Sequence, residues 1–149
     1  MRRNKILHLS VAVLLLVTVV AAAIHLTTRT QVPEGALRVE YEGRQVDVFP
    51  EQLPLVGVQG AVVNGKGETL PVDGQGVLLS DLLAQANVTV FREIQVLADD
   101  AYSAAVTAAE ASAPDRVYLL REEDSWRLVV FGDADSRRNV RNVIRLVVS

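Results

Sequence analysis

Residues 37–48, LRVEYEGRQVDV, place apolar and polar side chains in alternation on both sides of a glycine. The apolar positions are Leu37, Val39, Tyr41, Val46 and Val48. Alternation with a period of two is typical of strands that bury one face, and a glycine between two such runs suits a tight turn. This stretch predicts a β-hairpin with Gly43 in its turn, and with it a domain built mainly from strands.

A second apolar run, residues 56–63, follows two prolines and ends at Asn64-Gly65-Lys66-Gly67. It predicts another strand, and we interpret both this glycine-rich stretch and Gly74-Gln75-Gly76 as hairpin turns. Neither stretch matches a phosphate-binding loop, because Lys66 is followed by glycine instead of Ser or Thr and opens no helical pattern.

One segment has the period of a soluble helix. Leu79, Leu82, Leu83 and Ala86 fall at positions i, i+3, i+4 and i+7, so residues 78–86 present one apolar face. Asn87 suits the left-handed conformation that ends many helices. The pattern predicts a helix that packs on the core and carries no chemistry.

The remaining strands are predicted at residues 91–97, at residues 117–120 and from Trp126 onward. The acidic run Glu122-Glu123-Asp124 is interpreted as a solvated hairpin tip, and Trp126 as a packing residue. Aromatic residues make up only 5% of the chain, so Val, Leu, Ile and Ala must form the core. The expected fold class is α+β, with mixed or antiparallel strands and few helices.

The N-terminal segment combines basic residues with a long apolar run. Arg2, Arg3 and Lys5 precede an uncharged stretch over residues 6–28. This is long enough for a transmembrane helix, but the alanines at 21–23 also suit a signal-peptide cleavage site, and both interpretations remain open. We expect residues 1–29 to be a signal-anchor or signal peptide, 30–36 a linker, and 37–149 a domain.

The charge distribution predicts the orientation of this segment. A basic flank stays in the cytoplasm, so the C-terminal domain is expected outside the cell membrane in a single-pass protein, or secreted if the segment is cleaved. The chain carries a net charge of −3, and four of its basic residues lie before residue 30. Such an acidic domain is a poor partner for nucleic acid.

The chain has no cysteine, and its two histidines, His8 and His25, belong to the N-terminal segment. Thiolate nucleophiles, disulfides, Cys/His zinc sites and Ser-His-Asp triads all need residue types that the domain lacks. Chemistry in residues 37–149 must therefore come from carboxylates, arginines, hydroxyls and the backbone.

Four blocks in order resemble the oxidoreductase molybdopterin-binding domain, the sulfite-oxidase-type fold. They are residues 76–83 (GVLLSDLL), 100–103 (DAYS), 127–130 (RLVV) and 137–143 (RRNVRNV). The likeness covers residues 53–148 and is nearest to short, exported members of that superfamily. It implies a sulfite-oxidase-like α+β fold and, by family membership, a molybdopterin site.

The chain departs from that family where the cofactor binds. Catalytic members hold molybdenum through a cysteine thiolate, which this chain cannot supply. The family also favours glycine at Ala101 and prolines near Ser125 and Phe131. We therefore expect no bound cofactor, since molybdopterin is implied by the resemblance alone, and a scaffold that has lost its chemistry.

Seven residues are candidates for ligand binding. Asp99 and Asp100 are adjacent carboxylates near a strand end, which is consistent either with a cation or acid–base site or with a solvated turn. A calcium ion would need about six or more oxygen ligands, so no metal site is predicted. A tyrosine hydroxyl could line a pocket or merely cover the core edge. The arginines could bind an anion bidentately or pair with Asp133 and Asp135. The candidates are Asp99, Asp100, Tyr102, Ser103, Arg127, Arg137 and Arg138.

Three functions remain open from the sequence. The first is a membrane-tethered, extracytoplasmic binding or accessory domain for a small molecule whose identity is unknown. The second is a molybdopterin-type oxidoreductase component that uses a non-cysteine or partner-supplied site. The third is an interaction module whose strand edges pair with another envelope protein. Whether the chain is an enzyme is left undecided.

Overall fold

The computed structural model of the chain describes Thr18 and residues 32–149, and the predicted N-terminal membrane or signal segment lies outside these described residues. Residues Val32–Ser149 form one compact unit. In the described part of the chain, no helix combines the length and apolar character that crossing a membrane would take.

The first of two sheets contains five strands. In chain order they are β1 (Leu37–Tyr41), β2 (Arg44–Val48), β5 (Glu93–Ala98), β6 (Ser103–Thr107) and β9 (Val143–Val148). Their order across the sheet is β2-β1-β9-β5-β6. Neighbouring strands are antiparallel except β1 and β9, which are parallel, so the sheet is mixed.

The predicted hairpin of residues 37–48 is confirmed. Tyr41 pairs with Arg44, which leaves Glu42 and Gly43 as a two-residue turn. Both turn residues have positive φ, 50° and 74°, as a type I′ turn requires. The alternation sets the face: Leu37, Val39 and Val48 are buried in the core.

The second sheet contains four antiparallel strands in sequence order. They are β3 (Val56–Val63), β4 (Thr69–Leu78), β7 (Val117–Glu122) and β8 (Ser125–Val130). The predicted turn at residues 64–67 is present between β3 and β4, where Asn64 Oδ1 accepts hydrogen bonds from the backbone N–H groups of Lys66 and Glu68, both at 2.9 Å. The acidic tip between β7 and β8 is likewise confirmed, because Glu122 pairs with Ser125 across it.

The prediction of a hairpin turn at Gly74-Gln75-Gly76 is wrong. Both glycines lie inside β4, and neither has positive φ. A Cβ on Gly76 would stand 2.5 Å from the backbone oxygen of Leu119, and one on Gly74 would stand 3.1 Å from Leu120 Cδ1. Glycine is present here for close packing of β4 on β7, which a sequence pattern does not distinguish from a turn.

Two short α-helices and one 3-10 helix, Pro50–Gln52, complete the secondary structure of residues 32–149. Helix α1 (Leu79–Gln85) confirms the predicted helix, with Leu79, Leu82 and Leu83 buried. Asn87 has the expected positive φ of 57°. Helix α2 (Ala108–Ser112) follows β6 directly and was not predicted.

Apolar side chains form two clusters. The larger one joins the inner faces of both sheets and α1, and it includes Trp126, which confirms that Trp126 packs. The smaller one lies on the outer face of the four-stranded sheet, where Val58 and Val72 of the β3–β4 hairpin pack with Tyr118, Leu120 and Val129. The four-stranded sheet is therefore covered on both faces where this hairpin folds back over it.

Candidate functional site

The connection between β8 and β9, residues 131–142, is in contact with several of the predicted site residues. Near its C-terminal end, Val140 is fully buried, and its carbonyl accepts a 2.8 Å hydrogen bond from the Leu128 N–H. We call these residues the β8–β9 loop. Three of the seven candidate side chains contact it or belong to it in ways that hold its shape.

Arg138 of the β8–β9 loop is neutralised by two carboxylates. Its Nε and Nη2 donate to the two oxygens of Asp133, the Nε bond at 2.8 Å, and its Nη1 donates to Glu110 Oε1 at 2.8 Å. The hydrogen bonds to Asp133 raise the pKa of the Arg138 guanidinium above its ordinary value. Burial opposes this shift, and the hydrogen bond to Glu110 adds to it. The predicted pairing of Arg138 with an aspartate is thus confirmed.

Glu110 connects this ion pair to α2. Burial would raise the pKa of its carboxyl, but the hydrogen bonds from the Thr107 backbone N–H and from Arg138 outweigh burial and lower that pKa to about 2. Thr107 Oγ1 in turn accepts from Glu110 N–H, which completes a capping box at the start of α2. The sequence Thr-x-x-Glu at 107–110 was the available signal for this helix.

Arg127 and Arg137 are also engaged, but at different depths. Arg127 on β8 donates from Nε to Asn139 of the β8–β9 loop and from Nη1 to Glu122 at 3.1 Å, and its side chain is only 12% exposed. Arg137 pairs with Asp135 at 3.2 Å at the surface, where its side chain is 85% exposed. The first contact positions the loop, whereas the second is a solvated surface pair.

Tyr102 and Asp100 shape the turn between β5 and β6. The Tyr102 hydroxyl donates a 2.6 Å hydrogen bond to the Arg137 carbonyl, and Asp100 Oδ1 accepts a 2.9 Å hydrogen bond from the Tyr102 N–H. Between them Ala101 has φ of 69°, a conformation that favours glycine. Ser103 begins β6 as an exposed residue. These residues therefore hold the turn against the β8–β9 loop.

Asp99 lies in a different environment from the other candidates. Together with Asp124, Trp126, Asn142 and Ile144 it lines an open cavity of about 490 Å³. Val32, Pro33 and residues 35–37, where β1 begins, form another wall of this cavity. The Asp99 N–H donates to the Asn142 carbonyl at 3.1 Å and so joins the end of β5 to the end of the β8–β9 loop.

A second open cavity of about 640 Å³ continues from the first at Asp124, Ser125 and Asn142. Its other lining residues are Glu122, Glu123 and Arg141. We call the two cavities together the acidic groove, because four carboxylates and one arginine line it. Glu122 is the carboxylate already paired with Arg127.

The structure therefore separates the predicted site residues into two sets. Tyr102, Arg127 and Arg138 hold the β8–β9 loop, while Asp99 reaches the acidic groove. Sequence reasoning missed the other groove residues. Asn142 carried the one available signal, because asparagine tolerates positive φ better than most residues, and Asn142 indeed has a φ of 50°. In the described part of the chain, no three His, Cys, Asp or Glu side chains are grouped to hold a metal ion.

No protein-family model matches this chain, and no curated protein matches it significantly.

Proposed function

We propose that residues 37–149 form an extracytoplasmic binding domain, tethered by the N-terminal segment, whose acidic groove binds the cationic group of a ligand that also has an apolar part. The observation that carries this proposal is the lining of the groove, in which Asp99 and Asp124 accompany Trp126 and Ile144. One open cavity thus offers carboxylates to the cationic group of a ligand and apolar side chains to its hydrophobic part.

The charge of the groove supports a cation as the ligand. Asp99 and Asp124 are both exposed, and Glu123 extends the negative lining toward the β7–β8 tip. By contrast, Arg138 is held by Asp133 and Glu110 outside the groove, and Arg127 pairs with Glu122 at one end of it. An incoming ammonium or guanidinium group gains Coulomb attraction from the groove, whereas an anion meets like charge.

The apolar lining supports a ligand with a hydrophobic part. Ile144 on β9 is 40% exposed although it is a large apolar side chain, and Val32 and Pro33 lie along the same cavity. Burying such surface against a ligand is favourable by about 25 cal/mol per Å². The groove thus suits an amphiphilic cation better than a small inorganic ion.

The same residues fit an anionic pterin cofactor poorly. Molybdopterin carries a phosphate, which needs free cationic or N–H donors, yet Arg138 spends its donors on Asp133 and Glu110. The acidic groove would repel that phosphate. If the family resemblance is correct, we propose that the scaffold is retained without its cofactor.

Fluorescence of Trp126, the only tryptophan of the chain, is a direct readout for binding. We expect 3-phenylpropylamine to change this fluorescence in a saturable way and 3-phenylpropionate, which has a similar apolar body and opposite charge, to leave it unchanged. Added salt weakens the cation's binding because the groove is open to solvent. Equal responses to both compounds would contradict the proposal.

A matched pair of variants tests the residues. Asp124→Asn removes one charge from the groove and should weaken binding of the amine by about fivefold or more, an energy of about 1 kcal/mol. Asp81→Asn removes the same charge from the exposed side of α1 and should leave binding unchanged. If both variants weaken binding equally, the acidic groove is not the site.

The cofactor and the tether have their own tests. Full chain produced where molybdenum cofactor is available should carry neither molybdenum nor pterin, by elemental analysis and by fluorescence; stoichiometric cofactor would overturn the binding-domain proposal in favour of an oxidoreductase component. Mass spectrometry of the mature N-terminus distinguishes an intact anchor from cleavage near residues 21–23.

A further inference from the structure

The turn between β3 and β4 contains Asn64-Gly65, the single Asn-Gly pair of the chain. In such a pair the backbone nitrogen of the glycine can attack the side-chain amide carbon of the asparagine, because glycine has no Cβ to crowd the approach. Ammonia leaves, a cyclic imide remains, and water opens the imide to aspartate or isoaspartate. The geometry of the turn determines whether this reaction occurs in the folded protein.

The nucleophile of this reaction, the Gly65 backbone nitrogen, is available. Within the described residues its N–H group donates no hydrogen bond, and Gly65 is exposed. Neither the backbone nor space requires glycine here, because Gly65 has no positive φ and a Cβ on it would meet only Ser136 Oγ, at an ordinary 3.8 Å. Hydroxide from solvent can therefore remove the N–H proton, which attack by the nitrogen requires.

The electrophile, the Asn64 side-chain amide, is already polarised. Its Oδ1 accepts hydrogen bonds from the backbone N–H groups of Lys66 and Glu68, both at 2.9 Å. Attack at the amide carbon places a negative charge on this oxygen, and N–H donors at such distances stabilise that charge more strongly than they stabilise the neutral amide. The two donors therefore lower the barrier to cyclisation.

We propose that Asn64 is a site of spontaneous deamidation in the folded protein. The Gly65 nitrogen loses its proton to hydroxide and forms a bond to the side-chain carbon of Asn64. The bond from that carbon to Nδ2 breaks, and Nδ2 takes a proton from water and leaves as ammonia. Water then adds to either carbonyl carbon of the cyclic imide and cleaves its bond to the nitrogen. The net reaction exchanges ammonia for water, so it requires no oxidant and no enzyme.

The products change the contacts that close the turn. Asn64 Nδ2 donates a 2.8 Å hydrogen bond to Glu68 Oε2, and either product loses this donor and adds a carboxylate to the same turn. Isoaspartate also lengthens the backbone before Gly65 by a methylene carbon and displaces the Asn64 carbonyl, which accepts a 3.0 Å hydrogen bond from the Gly67 N–H. Because the β3–β4 hairpin completes the smaller apolar cluster, the modified turn should loosen that cluster.

Peptide mapping of the full chain, held folded in mild detergent at mildly alkaline pH, tests the proposal. The mass of the fragment that contains Asn64 should rise by the difference between water and ammonia, and an isoaspartate-specific methyltransferase should label it. Asn87, Asn139 and Asn142 are internal controls, because each precedes a valine whose branched side chain crowds the attacking nitrogen. No conversion at Asn64, or conversion as slow as at the controls, would overturn the proposal.

A matched pair of glycine variants tests the nucleophile. Gly65→Ala should slow the conversion of Asn64 by about tenfold or more, because the added methyl group crowds the attacking nitrogen. Gly57→Ala, in β3, should leave the rate unchanged, since a Cβ there also has room. Circular dichroism confirms that both variants remain folded. Equal rates in the two variants would overturn the assignment of the Gly65 nitrogen.

A free peptide of residues 61–69 measures the contribution of the fold. The peptide lacks the fixed N–H donors of the turn, so we expect Asn64 of the folded chain to convert at least as fast as Asn64 of the peptide. Slower conversion in the folded chain would mean that the turn protects Asn64 and would overturn the proposal.

Urea unfolding followed by Trp126 fluorescence tests the consequence. Chain that contains isoaspartate at position 64 should unfold at a lower urea concentration than the unaltered chain. Asn64→Asp adds the charge without the methylene carbon and should give a smaller shift. An isoaspartate form as stable as the unaltered chain would overturn the loosening of the hairpin. None of these results depends on the ligand of the acidic groove, so the two proposals fail separately.

Discussion

The two sheets use glycine in opposite ways. The five strands of the mixed sheet contain no glycine, whereas β3 and β4 of the four-stranded sheet contain Gly57, Gly60, Gly74 and Gly76. None of these four has positive φ. Three of them, Gly60, Gly74 and Gly76, leave space for a neighbouring side chain or backbone atom, whereas a Cβ on Gly57 would meet no atom within 4 Å.

Burial follows the same division. In β5 buried residues alternate with partly buried ones, as expected for a sheet covered on one face, whereas four consecutive residues of β7, Val117 to Leu120, are all buried. The β3–β4 hairpin covers the outer face of β7, with Gly74 against Leu120. The absence of a side chain on Gly74 thus leaves room for Leu120 in the second apolar cluster.

Gly76→Ala should have the largest effect on stability. The added Cβ would stand 2.5 Å from the Leu119 backbone oxygen, and a backbone atom within a paired strand cannot move aside cheaply. We expect a loss of at least about 3 kcal/mol in the free energy of unfolding. Urea unfolding followed by Trp126 fluorescence measures it.

Gly57→Ala is the control for this prediction. Gly57 lies in β3, and a Cβ there would meet no atom within 4 Å. Its substitution should change stability by less than about 0.5 kcal/mol. Comparable losses at Gly57 and Gly76 would mean that glycine serves flexibility in the hairpin, not packing.

Arg138→Met tests the ion pairs that join the β8–β9 loop to α2, the helix that follows β6. The substitution removes the cation that Asp133 and Glu110 share and leaves Glu110 with Arg116 alone, at 3.2 Å. The side chains of Arg138, Asp133 and Glu110 are all at most 24% exposed. We expect a loss of about 2–3 kcal/mol, below the range for fully buried pairs because of this residual exposure. The measurement is the same urea unfolding.

Its neighbour supplies the control. Arg137→Met breaks an ion pair between side chains that are 85% and 53% exposed, which contributes at most about 1 kcal/mol. If the two variants lose equal stability, then the depth of the Arg138 cluster does not determine its contribution.

The pH dependence of stability is the third test. Glu110 has a folded-state pKa of about 2, below its ordinary value of 4.5, so its stabilising contribution is present above pH 4.5 and is lost as the pH falls toward 2. We expect the stability difference between the unaltered chain and Glu110→Gln to shrink by about 2 kcal/mol over that interval. A difference that is constant with pH would contradict this assignment.

The sequence predicted elements whose cause is local. The hairpin around Gly43 follows from alternation plus a turn residue, and α1 follows from the spacing of Leu79, Leu82 and Leu83. Gly74 and Gly76 were misinterpreted because the reason for glycine lies in β7, more than 40 residues away in sequence: the Leu120 side chain at Gly74 and the Leu119 backbone at Gly76. Close approach between distant strands leaves no periodic signal.

The sequence could indicate which residue types form the candidate site, but not which separate segments of the chain bring them together. The sequence offered pairing of the arginines with Asp133 and Asp135 as one alternative to anion binding, but it gave no sign of Glu110, which joins Arg138 because α2 lies against the β8–β9 loop. Asp124 was interpreted as part of a solvated tip, and its cavity exists because residues 32–37 and Asn142 come alongside it. Contacts between separate loops decide such a groove, and they depend on the whole fold.

Ala101→Gly should have the smallest effect on stability. Unlike the glycines in β4, it tests a position where the backbone conformation, not space, favours glycine. Ala101 has φ of 69°, which costs a residue with a Cβ about 1–2 kcal/mol, and glycine removes this strain but loses about 0.5–1 kcal/mol of chain entropy. We expect a net gain of about 0.5 kcal/mol in the free energy of unfolding.

Ala109→Gly, at an exposed helical position in α2, is the control and should instead lower the free energy of unfolding by about 0.5–1 kcal/mol. If both substitutions destabilise equally, the turn does not hold Ala101 in the left-handed conformation. The opposite signs would show that Ala101 occupies a position whose backbone conformation favours glycine, whereas Gly76 of β4 occupies one where only the space beside Leu119 requires it.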